Sequence, residues 1–346
     1  MAPTVTVSPA ELRTASRPFY GGIDLGGTNT KVGVIDSEGR ALARTSVGTR
    51  VDAGPELGVQ MMASTLRELL EALGCEGVRD LAAIGLGTPG TMDIPGGMLL
   101  EPHNLPGWFD FPIVDRLQAH CEGRPVAFTN DASAAAYGEY WVGRGREHQS
   151  MLLLTLGTGV GGGIIIGDAP LDGEHSHGAE CGHIIIDYHP DALICSCGQP
   201  GHLEAYASAT GVTARAKAAL ATGEESALTE KLAEGKRLTP LLIADEAQAG
   251  DEFCMRIVLE TARYLAIGIT TLMHVIDPSA VVLGGGMNFG GAEHPLGKRF
   301  LEAVRTEVKS RAFPVLAEKT IIDFATLHGN AGFIGAAGLA KRRFGE

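Results

Sequence analysis

The chain has 346 residues, enough for two lobes with separate cores, and its 45% hydrophobic and 20% charged residues are the balance of a folded α/β protein. A net charge of −13 disfavours binding to a nucleic-acid backbone, though not to a nucleotide gripped locally by N–H groups and Mg²⁺. No apolar run is long enough to span a bilayer, and the N-terminus lacks the basic start and apolar core of a signal peptide. The expectation is a cytoplasmic protein, off the membrane, with its six cysteines (Cys75, Cys121, Cys181, Cys195, Cys197 and Cys254) reduced or metal-bound.

In chain order, residues 1–18 are polar and aperiodic and read as a mobile tail. From Phe19, FYGGIDL reads as a strand, GGTNT as a Gly-rich turn and KVGVID as a second strand. Residues 56–74 have helical periodicity and close on Gly74, a C-cap residue. LAAIGLGTPG is a buried strand running into a loop, residues 112–120 a helix starting at Pro112, and PVAFTN another strand. Asp131 opens an Ala-rich helix, and MLLLTLGTGVGGGIIIG then repeats the strand, Gly turn, strand layout. Residues 203–222 and 251–276 read as helices, SAVVLGGGM as a strand meeting a glycine turn, IIDFAT as a strand, and NAGFIGAAGLAKRRFG as a closing helix with a basic last turn. The repeated unit predicts two related α/β lobes with a cleft between them. The small lobe is placed at 19–129 and completed by the closing helix 330–346; the large lobe is placed at 130–329.

Two G-x-G-x-x-G matches, Gly85-Gly87-Gly90 and Gly157-Gly159-Gly162, fail as dinucleotide fingerprints, because neither is followed by a helix. No G-x-x-x-x-G-K-[ST] is present. The Gly turns fit better as hairpin tips whose backbone N–H groups approach phosphate without a Cβ in the way. Asp24 can hold the hydration shell of Mg²⁺ beside Gly26, Gly27 and Thr28. Thr158 and Gly159 repeat the arrangement, and Gly284-Gly285-Gly286 follows a third strand. Asn130-Asp131 stands where a strand meets a helix, so Asp131 reads either as an N-cap or as the acceptor of a hydroxyl proton. Cys195, Cys197 and His202 set three N/S donors in a Gly/Pro-rich loop. His183 lies 12 positions before Cys195, with His175, His177 and His189 also near, so several fourth ligands are available. Cys₂His₂ is a competent structural zinc set.

Together these residues resemble the ROK family (repressors, open reading frames and kinases), especially its bacterial glucokinases. The segments that carry the likeness are IDLGGTNTKVGVID, GLGTPG, NLPGW, NDASAAAYGE, LGTGVGGG, GAECGH, CSCGQPGHLEAYAS, VVLGGGM and GNAGFIGAA, in family order over nearly the whole chain. The resemblance implies an actin-like ATPase (ribonuclease H-like) fold of two lobes closing over sugar and nucleotide, and ATP-dependent phosphorylation of glucose to glucose 6-phosphate. Asp131 would be the general base. Gly90, Asn104, Asn130, Glu180, His183 and Glu204 would line the sugar, the two glutamates being aimed at the cleft by the metal loop. Asp24, Gly26, Gly27, Thr28, Lys31, Thr158, Gly159 and Gly286 would surround MgATP. Zinc would be held by His183, Cys195, Cys197 and His202, with His183 touching sugar through its other ring nitrogen. A homodimer is implied, with its interface in the large lobe. His202 stands where the family usually has a third cysteine, giving a less negative and weaker metal site. Cys181 reads as a small core residue. The alternatives are a kinase for N-acetylmannosamine, N-acetylglucosamine, fructose or mannose, and a sugar-sensing repressor. The second is disfavoured because only about 18 residues precede the first strand, too few for a helix-turn-helix domain.

Overall fold

Phe19–Leu25 (β2) is buried almost throughout, which requires cover on both faces, and its period of two assigns them. Phe19, Ile23 and Leu25 join one core with Leu66, Leu69 and Leu70 of the helix Pro55–Ala72, and with Trp108. Tyr20 joins a second core with Phe333, Ile334 and Ala337 of the closing helix Ala331–Phe344. The computed structural model describes residues 3–345. Of the expected segments, residues 1, 2 and 346 lie outside that range.

The strands of this first sheet are β1 (Thr4–Val5), β2, β3 (Asn29–Ile35), β4 (Ala41–Gly48), β5 (Leu81–Thr88) and, after the small hairpin β6 (Met92–Asp93) and β7 (Met98–Leu99), β8 (Val126–Asn130). Their order is β1-β4-β3-β2-β5-β8; the first four pair antiparallel, and β5 and β8 join parallel to β2. Gly22, Gly33 and Gly85 lie side by side across three strands. A Cβ on Gly22 would stand 1.9 Å from the Phe333 carbonyl oxygen, and one on Gly85 1.7 Å from that of Ala336. This bare row lets the closing helix lie directly on the sheet. The same helix meets the Ala-rich helix Asp131–Trp141 just as closely, since a Cβ on Gly335 would stand 1.7 Å from the Ala134 carbonyl oxygen.

Two expectations change. The stretch read as a mobile tail is ordered from residue 3: β1 pairs with β4, Pro9–Arg13 is a helix with a Ser8/Glu11 capping box, and Val7 is buried in the first core. The boundary expected at 129/130 also moves. The chain divides into one unit of residues up to 148, 163–179 and 326 onward, and a second of 149–162 and 180–325. The Ala-rich helix stays with the first unit because its small residues pack on the closing helix. Glu139, fully buried, fixes that arrangement: its carboxylate accepts from the backbone N–H groups of Arg144, Thr326 and Leu327 and from the Thr326 hydroxyl, at 2.6–3.0 Å.

The second unit is built around β9 (Ser150–Leu156) and the start of β10 (Val160–Ile166). After β11 (Ala169–Pro170), which belongs with the first unit, come β12 (Ala280–Gly284) and β13 (Ile321–Phe324). The strand order is β10-β9-β12-β13, with β12 parallel to both neighbours. The long helix Glu252–Ile276 matches the sequence reading; Asp251 caps it, accepting from the Cys254 N–H at 2.8 Å. The helix expected over 203–222 breaks at Ser208 into Leu203–Ala207 and Ala209–Ala221, because the Ser208 hydroxyl caps the second part by accepting from the Gly211 N–H. No helix among the described residues is long and apolar enough to cross a membrane.

Candidate functional site

In the first unit, the β2–β3 turn carries Gly26, Gly27 and Thr28, closed by the Gly26 N–H donating to the Asn29 carbonyl at 3.1 Å. Buried Thr49 locks it from behind. Its N–H donates to the Thr28 carbonyl at 2.9 Å, its hydroxyl to the Gly26 carbonyl at 2.6 Å, and Thr30 pairs with that hydroxyl at 3.0 Å. With those carbonyls taken, the tip has N–H groups to offer, the chemistry an anion needs. Asp24, the last residue but one of β2, lies opposite Lys31, whose Nζ is 3.9 Å from its carboxylate. Gly332, in the first turn of the closing helix, gives that carboxylate room: a Cβ there would stand 2.5 Å from Asp24 Oδ2. Burial pushes the Asp24 carboxyl above its ordinary value, and Lys31 pulls it back down. A divalent cation in its hydration shell would add to that second effect.

The Asn104 loop abuts the same tip, since a Cβ on Gly27 would stand 2.8 Å from the Asn104 carbonyl oxygen. Asn104 is exposed, while Leu105 and Trp108 beside it are fully buried and anchor the loop. The Trp108 indole donates to the Val51 carbonyl at 3.3 Å and lies over Gly58. Gly90 has φ +89°, and a Cβ there would collide with Pro102, so the turn before the Asn104 loop demands glycine.

Of the two roles open to Asp131, the helix cap is filled by its neighbour. The Asn130 side chain caps the helix, its Oδ1 accepting from the Ala132 and Ser133 N–H groups at 2.8 and 3.3 Å. Asp131 is the first residue inside the helix, half-buried, and also accepts from the Ala132 N–H at 2.8 Å. Gly87 of β5 lies against it; a Cβ there would stand 3.5 Å from Asp131 Cα.

In the second unit, two glycine turns leave the C-terminal ends of adjacent parallel strands, which is where open α/β sheets bind ligands. After β9 come Gly157, Thr158 and Gly159. The Gly157 carbonyl accepts from the Ala209 N–H at 2.8 Å and the Thr158 carbonyl from the Thr210 hydroxyl at 2.9 Å, so the helix Ala209–Ala221 holds the tip from behind. After β12 comes Gly285, with φ +88° and packed on Leu156, then Gly286, where nothing approaches within 4 Å of a would-be Cβ.

Below the first turn lies the metal cluster. His183, Cys195, Cys197 and His202 bring their donor atoms within 4.8 Å of one another. His183 Nδ1 is 3.3 Å from His202 Nδ1 and 3.7 Å from Cys195 Sγ, and Cys197 Sγ is 3.3 Å from His202 Nδ1. Ligands at zinc distances and tetrahedral angles stand about 3.3–3.8 Å apart, so the donor set fits a zinc ion. His183 is the fourth donor that the fold brings to the cluster; His175, His177 and His189 are not among its members. Desolvation, then the neighbouring His183, holds the His202 imidazole below the ordinary histidine value, in the neutral form a ligand needs. Burial pushes the Cys195 thiol up to about 11, so it keeps its proton at neutral pH until a cation replaces it. Cys181, by contrast, is core: it is buried, and desolvation raises its thiol to about 12.

His183 turns its other nitrogen, Nε2, toward Glu180, 3.9 Å away, and Glu180 is exposed. Glu204 has partners of its own. Its Oε2 accepts from the Val160 N–H at 3.0 Å, and its Oε1 accepts from the Ser196 hydroxyl and the Cys195 thiol. A sugar hydroxyl would have to share the carboxylate with these partners. Sequence reasoning missed Thr49, Thr30, Glu139 and Ser196. The only signal any of them carried was Glu139's, the one charged residue after Asp131 in its helix.

Residues 20–343 match the ROK family. A glucokinase of Halalkalibacterium halodurans is 34% identical over 94% of this chain and 96% of its own. Among solved structures, a ROK hexokinase from Thermus thermophilus is 34% identical, covering 94% of this chain and 98% of its own, with a TM-score of 0.78. A ROK family glucokinase from Streptomyces griseus, in complex with glucose and AMPPNP, is 33% identical over 94% and 99%, with a TM-score of 0.73.

Proposed function

This chain belongs to the ROK family, and we propose that within it the protein is an ATP-dependent hexokinase that converts glucose to glucose 6-phosphate. Its two α/β units are those of the actin-like ATPase fold found in the family's sugar kinases. The observation that carries the reading is the division of labour at the start of the helix Asp131–Trp141. Asn130 caps the helix, so the carboxylate of Asp131 is not needed for that purpose and can take up a proton. Near-complete coverage of glucokinase relatives supports it.

In the proposed reaction the 6-hydroxyl oxygen of the sugar attacks the γ-phosphorus of ATP, the bond to the bridging oxygen of ADP breaks, and the hydroxyl proton passes to Asp131. The transition state is loose, so alignment matters more than base strength. Asn104, Asn130, Glu180 and His183 would supply hydroxyl partners, with Gly90 shaping the wall. The Asn130 cap uses only Oδ1, which leaves the amide's donors for a sugar oxygen. Gly27, Thr28 and Lys31, with Thr158, Gly159 and Gly286, would receive the phosphates through N–H, hydroxyl and ammonium donors, and Gly26, whose N–H closes the turn, would let them approach without a Cβ in the way. Mg²⁺ bound with ATP neutralises phosphate charge, and Asp24 would hold its water shell. Zn²⁺, with four protein ligands, would be structural.

Product analysis tests the regiochemistry. After incubation with glucose and MgATP, phosphorus–proton NMR is expected to couple the new phosphate to the C6 protons. Coupling to C1, or phosphate released to water, would contradict the proposal.

A further inference from the structure

The glutamate expected to face sugar is engaged at both of its oxygens. Glu204 Oε2 accepts from the Val160 N–H at 3.0 Å, and a Cβ on Gly159 would stand 2.2 Å from the same oxygen. The glycine at 159 therefore makes room for the carboxylate as well as for a phosphate. Glu204 Oε1 accepts from the hydroxyl of Ser196, which lies between the ligands Cys195 and Cys197. Glu204 itself follows the ligand His202 by two residues, in the first turn of the helix Leu203–Ala207. Both ends of the link between metal loop and glycine turn are thus set by metal ligands.

We propose that Glu204 is a positioning residue that couples the zinc loop to the phosphate-facing turn Gly157–Val160, so that the loop governs nucleotide affinity as well as the sugar wall. The inference rests on the kinase reading above, in which this turn meets phosphate. The Gly157 N–H closes the turn onto the Gly159 carbonyl at 3.0 Å, and the helix Ala209–Ala221 ties it at the carbonyls of Gly157 and Thr158; Glu204 adds a tie at the N–H of Val160. With zinc bound, Cys195 is a thiolate with no hydrogen to donate, so the Ser196 hydroxyl is the donor that remains on the loop side. A glutamate serving only as a sugar ligand would need neither the bare Gly159 nor the Ser196 hydroxyl.

The test is calorimetric titration of Mg-AMPPNP into the full-length, zinc-loaded protein without sugar, with amide hydrogen exchange over residues 156–162. Glu204→Ala and Ser196→Ala are each expected to raise the nucleotide Kd about tenfold, the scale of a hydrogen bond to a charged group. The double variant should be no weaker than Glu204→Ala, since both changes break one chain of contacts. Exchange at 156–162 should quicken in both variants, while Ser196→Ala keeps its zinc by elemental analysis. If Glu204→Ala moves the nucleotide Kd by less than about twofold and weakens glucose binding instead, Glu204 is a sugar ligand and the coupling is wrong. If Glu204→Ala does not fold, Ser196→Ala carries the same comparison. Should the wild type bind no nucleotide, the kinase reading fails, and exchange alone decides the coupling: unchanged rates over 156–162 in Ser196→Ala would overturn it.

Discussion

Asp131→Asn is expected to cut kcat by roughly a hundredfold to ten-thousandfold, the range that positioned general bases supply, while glucose binds with nearly unchanged affinity. The geometry makes this a clean substitution. Helix capping is done by Asn130, so the variant keeps its N-terminal cap. An amide at 131 has the shape of the carboxylate and still offers one oxygen to the Ala132 N–H. What it lacks is the ability to accept a proton. The thermal midpoint should therefore move little while turnover collapses. A variant that binds glucose and turns over at near wild-type rate would remove Asp131 from its role.

The second large effect concerns the metal. The purified protein is expected to carry about one zinc per chain, and Cys195→Ala to lose it, with a marked fall in thermal stability. Cys195 is the buried member of the set, only 4% exposed, and its sulfur faces both His183 and the Glu204 carboxylate. Removing it leaves three ligands, one of them the exposed Cys197. The loop 184–201, which includes exposed Ile185, Tyr188 and Ile194, has little apolar burial to hold it otherwise. His202→Cys, which restores the more usual thiolate, should slow zinc loss to a chelator. Equal zinc content in the wild type and Cys195→Ala would show that the cluster holds no metal.

What was legible in the sequence was local. A carboxylate, two glycines and a threonine at a strand end specify a turn and its chemistry within a few residues, and the Asp24–Thr28 and Gly157–Gly159 turns form as read. Of the four clustered donors, Cys195, Cys197 and His202 were legible because they share one loop; spacing left His183 as one of four histidines, and the family resemblance singled it out. Long-range contacts were not legible. Thr49 locks a turn more than twenty residues earlier in the chain, and its residue type gives no hint of that. The Ala-rich helix joins the first unit through Gly335 and Gly338, some two hundred residues away, so a boundary drawn at the preceding strand fell too early. Residues 3–18 looked aperiodic because their order comes from a two-residue strand added to β4 and one short capped helix, too little for periodicity to register. The partners of Glu204 were not legible either, because a glutamate shows its neighbours in sequence and not its hydrogen bonds.

The most direct test of the central claim is ADP release, measured with a coupled assay in MgATP against glucose, mannose, fructose, N-acetylglucosamine and N-acetylmannosamine. Sugar-dependent turnover is expected, with the highest kcat/KM for glucose. Sugar-dependent turnover highest for an N-acetylated hexose would leave the kinase assignment standing and contradict the substrate. No sugar-dependent ADP release from folded, zinc-loaded protein would contradict the kinase itself.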